Sequence, residues 1–229
     1  MRAVLFDAGN TLLELDYPWL SELARSLGAS AGPEEIGVAG ARLLRQNSLR
    51  YGMTPSPQDA GAVFRSSFRA IGEAIGLSDD AAMAFAQVAQ QEDRNDPSGL
   101  WRCLSPGVAA TLAALRERDL RLGVISNADG NAEQHLVLAG LRDWFEVVVD
   151  SWIVGVQKPA TRIFAIALEH LGLAAEDAIY VGDLLEVDVT GARAAGIRPL
   201  LYDRFDAYAD IREGRIRALH QILEIGQGR

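Results

Sequence analysis

A few positions in this 229-residue chain pair chemically competent side chains with places where a fold would present them. Asp7 ends the apolar run Ala3–Phe6 and opens the stretch Asp7–Ala8–Gly9–Asn10–Thr11–Leu12. Ser126–Asn127 follows the run Leu122–Ile125. Lys158 stands in Val156–Gln157–Lys158–Pro159, past Val147–Val149. Asp183 follows Ile179–Val181, and Asp188 comes shortly after it, ahead of Gly191–Ala192–Arg193–Ala194–Ala195–Gly196. A carboxylate held at the end of a buried strand can act as a nucleophile and form a covalent aspartyl intermediate. If Asp183 and Asp188 converge on the same crevice as Asp7, the three acids repel, and a proton or a cation must relieve them. Hard oxygen ligands with room for water suit Mg²⁺. Ser126 and Asn127 offer a hydroxyl and amides near an expected helix N-terminus, a cradle for a phosphoryl group. Lys158 adds a point charge. The chain has 22 basic residues, and Lys158 is its single lysine. Each motif alone has a plainer reading: a helix cap at Ser126–Asn127, a turn at Gly182–Asp183, an exposed helical acid at Asp188, a solvated lysine at 158. Their joint occurrence favours the chemical one.

These residues need elements that hold them together. Ala3–Phe6, Leu122–Ile125, Val147–Val149, Ile179–Val181 and Pro199–Tyr202 are short apolar runs of the kind buried on both faces of a parallel sheet. Helical patterns alternate with them. Ser105–Pro106 reads as a helix start ahead of Val108, Leu112 and Leu115. Pro159 opens a helix carrying Ile163, Phe164, Ala167 and Leu171 and closed by Gly172. A third runs from about Glu186 to Ala195 and stops at Gly196. This alternation predicts an α/β fold with a doubly wound parallel sheet, in which ligands bind beyond the carboxyl ends of the strands. The segment Ile216–Ile225 fits a short strand or a helix equally well.

Between about Glu14 and Arg102 the alternation stops. Four helical patterns fill this stretch: Leu20, Leu23, Ala24 and Leu27 ahead of Gly28; Ile36, Leu43 and Leu44 after Pro33; Phe64, Phe68, Ile71 and Ile75 after Ser56–Pro57; and Ala82, Phe85 and Ala89 after Ser78. An all-helical insertion over residues 15–102 is therefore expected after the first strand, with the core built from 1–14 and 103–229. Hinges are expected near Leu13–Leu15 and Arg102–Ser105. Tyr17, Trp19, Arg45, Arg50 and Tyr51 are the inserted side chains that could reach a substrate. His135, His170 and His220 lie on helical patterns and read as surface residues, while Trp101 and Trp152 read as packing residues.

The four motifs, in their order and each at an expected strand end, resemble the signature of the haloacid dehalogenase (HAD) superfamily. The resemblance covers the whole chain, and the helical insertion looks like that family's mobile cap over a Rossmann-like core. It implies Asp7 as nucleophile, with Ser126, Asn127 and Lys158 around the phosphate. It further implies a Mg²⁺ held by Asp7, the Gly9 carbonyl and Asp183, and supported by Asp188. A small phosphorylated metabolite is the implied substrate.

One departure matters. Phosphatases of this family carry a second aspartate two residues after the nucleophile as general acid and base, and here that position is Gly9, followed by Asn10. General acid–base catalysis is worth about 10²–10⁴-fold. Three readings follow. The first is a Mg²⁺-dependent phosphatase acting through an aspartyl-phosphate without that acid. The second is a non-catalytic or weakly active module binding a phospho-ligand or a protein. The third is a 2-haloacid dehalogenase, against which Asp183 and Asp188 tell. The related phosphonate-cleaving branch of the family needs a cap lysine for a Schiff base, and residues 14–102 contain none, so the resemblance does not extend to that branch.

Composition narrows the remainder. With 49% hydrophobic residues and a net charge of −9, the chain is foldable and argues against a nucleic-acid groove. No apolar run approaches the roughly 18 residues of a membrane span. The N-terminal run is too short for a signal-peptide core, so a cytoplasmic protein is expected. Cys103 is the sole cysteine, which leaves neither a disulfide framework nor a thiolate metal cluster.

Overall fold

The computed structural model describes residues 1–51, 53 and 59–225, with the side chains of Arg50 and Tyr51 left aside. The helix start expected at Ser56–Pro57 lies outside the described residues.

The main sheet has six strands, all parallel: β1 (Ala3–Phe6), β4 (Arg121–Ser126), β5 (Val147–Asp150), β6 (Ala178–Gly182), β7 (Arg198–Tyr202) and β8 (Arg215–Ile216). Their spatial order is β5-β4-β1-β6-β7-β8. Strand order therefore reverses around β1, with β4 on one side and β6 on the other. The carboxyl ends of these three strands frame the crevice where such folds bind ligands.

β1 is buried on both faces, as its uninterrupted apolar sequence requires. Because side chains alternate, Val4 and Phe6 join one apolar cluster with α6 (Val108–Arg116). Ala3 and Leu5 join another with α9 (Thr161–Leu171) on the opposite face. The sheet is thus wound on both sides. The five strands foreseen from apolar runs all form, each within a residue or two of its expected ends. β8 is followed by a 3₁₀ turn, Leu219–Glu224, which resolves the C-terminal ambiguity as a short strand and then a turn.

Helix starts are less faithful. Gly107, in a left-handed conformation (φ 75°), precedes α6, so Ser105–Pro106 is not its cap. The helix expected from Pro159 begins at Thr161. The expected Glu186–Ala195 helix opens as a π-turn over Leu185–Val189 and continues as α10 (Thr190–Ala194).

After β1 the chain enters a helical block: α1 (Tyr17–Ser26), α2 (Pro33–Gln46), α3 (Ser48–Tyr51), α4 (Ala60–Ala74) and α5 (Asp79–Asn95). It has an apolar cluster of its own, including Leu20, Ile36, Phe68, Ile71 and Phe85. Ser78 caps α5 through its hydroxyl, as its sequence position suggests. A feature not foreseen is the antiparallel pair of β2 (Leu13–Glu14) and β3 (Cys103–Leu104), which joins the entering and leaving chains. Two residues per strand is too short for an alternation signal. Beside it, Arg102 is ion-paired with Asp16 (2.8 Å), Glu92 (2.8 Å) and Asp96 (3.2 Å).

Candidate active site

Asp7 is the residue directly beyond β1. Its N–H donates to the Val181 carbonyl (2.8 Å), extending the β1–β6 ladder and fixing the carboxylate at the switch point. The side chain is almost wholly buried. Lys158 reaches it from the loop that leads into α9, with Nζ 2.5 Å from Asp7 Oδ1. The same ammonium donates to Asp188 Oδ1 (2.8 Å) and to the Tyr180 hydroxyl (2.9 Å), so all three of its protons are used. Only 2% of Lys158 is exposed, which removes the reading of a solvated lysine.

The Tyr180 hydroxyl has one proton and two acceptors in reach, Asp188 Oδ1 at 3.0 Å and the Ile125 carbonyl at 3.2 Å. Asp188 completes its set by accepting from Leu184 N–H (3.0 Å) at Oδ2. It is 1% exposed, so it is no surface acid. The π-turn turns Val187, Asp188 and Val189 inward in succession, and such turns recur at functional sites. Gly182 leaves the space that Asp188 fills: a Cβ there would stand 2.4 Å from Asp188 Cγ.

Asp183 is partly exposed, and one carboxylate oxygen from each of Asp7, Asp183 and Asp188 lies within 4.8 Å of the others. The electrostatics follow. Burial raises the Asp7 carboxyl, the Lys158 ammonium pulls it down and Asp188 pushes it up, leaving it at about 6. Asp183 is raised well above the carboxylate range by its enclosure and by the charges of Asp188 and Asp7. Burial acts against the Lys158 charge, yet Asp188 and Asp7 outweigh it and hold the ammonium above its ordinary value. Three carboxylates against one ammonium leave a charge of −2 when all are ionised. A divalent cation fits that donor set in sign, number and hardness.

The structure assigns distinct surroundings to the remaining expected residues. Ser126 is buried at the end of β4. The Asn127 side chain brackets the Lys158 peptide, accepting from its N–H (2.8 Å) and donating to its carbonyl (3.1 Å). The helix near this pair, α7 (Ala132–Leu138), begins several residues later, and Asp150 accepts from its Ala132 N–H (3.1 Å). Ser126–Asn127 therefore neither caps that helix nor stands at its N-terminus. Gly9 lies under the indole of Trp101, whose atoms would approach a Cβ at 3.2 and 3.3 Å.

Of the inserted side chains, Tyr17 lines a cleft beside Asp183 with Asn10, Tyr202, Arg204 and Tyr208. Trp19 stacks under Arg102, and Arg45 turns toward the loop after β7. His170 and His220 are exposed and His135 is partly so. Sequence reasoning missed Tyr180 and the 203–210 loop. A tyrosine inside an apolar strand was the available signal, since a buried hydroxyl needs a partner.

A doubly wound sheet with a carboxylate–lysine centre at its switch point defines a class of α/β enzymes. The sequence matches the haloacid dehalogenase-like hydrolases over residues 1–196. It is 31% identical to phosphoserine phosphatase of Thermus thermophilus, covering 95% of this chain and 97% of that protein. It is 30% identical to glyceraldehyde 3-phosphate phosphatase of Methanopyrus kandleri, covering 86% and 82%. Among solved structures, a HAD phosphatase from Thermococcus onnurineus superposes with a TM-score of 0.61 at 26% identity, over 100% of this chain and 99% of that one. The chain belongs to the haloacid dehalogenase-like hydrolases. No helix among the described residues is long and apolar enough to cross a membrane.

Proposed function

We propose that the protein is a Mg²⁺-dependent phosphatase of small phosphorylated metabolites that works through an aspartyl-phosphate. The observation that carries this reading is the meeting of Asp7 with Lys158, Asp188 and Asp183 at one strand-end crevice. The names of the relatives, phosphatases of two different small phosphate esters, support the same reaction class. Residues 1–14 and 103–229 form the catalytic core, and 15–102 form the cap.

In the first step a carboxylate oxygen of Asp7 attacks phosphorus, an Asp7–phosphoryl bond forms, and the ester P–O bond breaks as the leaving oxygen keeps its electron pair. Lys158 offsets the charge on Asp7, and Ser126 with the main chain at Asn127 holds the phosphoryl oxygens. The Asn127 side chain acts on Lys158 by gripping its peptide. In the second step water attacks phosphorus, the Asp7–phosphoryl bond breaks, and inorganic phosphate takes up the proton that water loses. Asp7, Asp183 and the Gly9 carbonyl would hold Mg²⁺, with Asp188 supporting, and the bound ion would neutralise charge on the phosphoryl oxygens.

Phosphate release from a panel of phosphorylated metabolites, with Mg²⁺ and with a chelator, tests this. Release that needs Mg²⁺ and vanishes in Asp7→Asn is expected. Release that survives Asp7→Asn would refute it. The absence of a side chain at Gly9 favours one second reading, a phospho-ligand-binding module. Silence across the panel together with a metabolite that raises Tm would establish that reading instead.

A further inference from the structure

We infer that Trp101 determines specificity on the leaving-group side of the site, selecting phosphate esters whose leaving group is a planar aryl oxyanion. The inference rests on the phosphatase reading above and names its substrate class. An in-line displacement puts the leaving oxygen on the face of phosphorus turned away from Asp7. With Asp7 at the floor of the crevice, that face looks toward the helical insertion, whose returning chain brings Trp101 over the loop that follows Asp7. Its six-membered ring touches the Gly9 Cα region, with Cζ3 and Cη2 at 3.2 and 3.3 Å from where a Cβ would stand.

A Cβ at position 9 would crowd the indole, so a side chain fits there only if the ring gives way by a few tenths of an ångström. The sector beside the nucleophile therefore carries an aromatic plane in place of a proton donor. The plane is well supported. Leu100, just before it, is fully buried and its N–H donates to Asp93 Oδ1 (3.0 Å). Arg102, just after it, is locked by its three carboxylates. Two consequences point the same way. A site that donates no proton favours a leaving group stable as an anion. An indole wall favours one with a flat, polarisable face, through offset or edge contacts. Aryl oxyanions meet both demands, whereas acyl phosphates meet only the first and alkyl phosphates neither.

The test compares p-nitrophenyl phosphate with acetyl phosphate, which leaves as readily but has no ring. Steady-state kinetics would be run on the full chain, on Trp101→Leu and on Trp101→Phe. Trp101→Leu should raise KM for the aryl ester about tenfold, Trp101→Phe should largely restore it, and acetyl phosphate should change less than about twofold. Equal losses on both substrates, or no loss on the aryl ester, would overturn the inference. Hydrolysis of panel metabolites but of neither compound would also overturn it; if nothing at all is hydrolysed, the phosphatase reading fails, and calorimetric binding decides the wall separately. Phenylphosphonate binding more tightly than methylphosphonate, with the difference removed by Trp101→Leu, would uphold it. Equal binding of the two phosphonates would overturn it.

Discussion

Replacing Lys158 by Met keeps the stem and removes the ammonium, and its cost can be worked from the contacts. Three hydrogen bonds go, at 2.5, 2.8 and 2.9 Å, and two buried carboxylates lose their counter-charge. Removing one partner of a buried ion pair costs about 3–5 kcal/mol, because the other charge stays buried. For a chain of this length each kcal/mol moves Tm by about 2–4 °C, so a drop of about 6–20 °C is expected. The measurement is a thermal melt and a urea titration in the presence of a chelator, since a bound cation would supply the missing charge. The control is Lys158→Met/Asp188→Asn. Its neutral amide still accepts from Leu184 N–H while removing one unpaired charge, so the double variant should recover about 1–3 kcal/mol of the loss. A single variant within about 1 kcal/mol of the parent would show that Lys158 is not the counter-charge of this centre. So would a second substitution that simply adds its own cost.

Mg²⁺ at about a hundredfold excess over its dissociation constant should stabilise the chain by about 2.7 kcal/mol, an increment that Asp183→Asn should reduce in the same melt. Rapid mixing with p-nitrophenyl phosphate should show a burst followed by slow turnover, because neither step has a general acid or base; a linear time course would contradict this. Gly9→Asp alone should gain less, since the new Cβ crowds the Trp101 ring at 3.2 Å. Combined with Trp101→Ala it should approach the general-catalysis gain of about 10²–10⁴-fold on alkyl phosphates, read as phosphate release. A hydrogen bond from Arg45 holds the Asp210 carboxyl below its ordinary range, so this tie from α2 to the 203–210 loop persists above the unfolded carboxyl value of about 4 and is lost as pH falls beneath it. Proteolytic cutting of α2 should therefore be constant from pH 5 to 8 and should be faster at every pH in Arg45→Ala.

The strands and the acids were legible because both are local signals. Val4 and Phe6 against Ala3 and Leu5 need no partner to be recognised as a doubly buried strand, and Asp7 follows at once in the chain. Lys158 was legible by scarcity. The relations between these residues were not. Asn127 looks like a phosphate ligand in sequence, yet the side-chain amide bonds to a peptide 31 residues further on. Gly9 announces a missing carboxylate, but nothing local announces that Trp101, far along the chain, fills the space. The helix starts at 106 and 159 were misplaced because proline permits a first turn without compelling one. In both cases the helix waits for a later residue. Tyr180 was hidden by its neighbours, because in a strand this apolar an aromatic passes for packing until its hydroxyl is found on Lys158 and Asp188.

The cleft beside Asp183 bears on how substrate would enter. It offers about 30 Å³ of water-accessible space, room for two or so waters and too little for a phosphate ester. Separation of the helical insertion from the sheet is the expected route of substrate entry, and the contacts across the two sides are unequal. On the hinge side, β2 pairs with β3 and Arg102 is three-quarters buried among Asp16, Glu92 and Asp96. On the far side, the 203–210 loop holds α2 by Arg45–Asp210, by Arg204–Glu34 and by the Phe205 ring set against Gly37. Asp210 and Glu34 are largely exposed, and such pairs are worth about 0–1 kcal/mol each. Opening should therefore break the weak contacts first and pivot on the strong ones. Trp101 adjoins Arg102 on that pivot, so the wall beside Gly9 should keep its place while α2 parts from the 203–210 loop to admit the substrate.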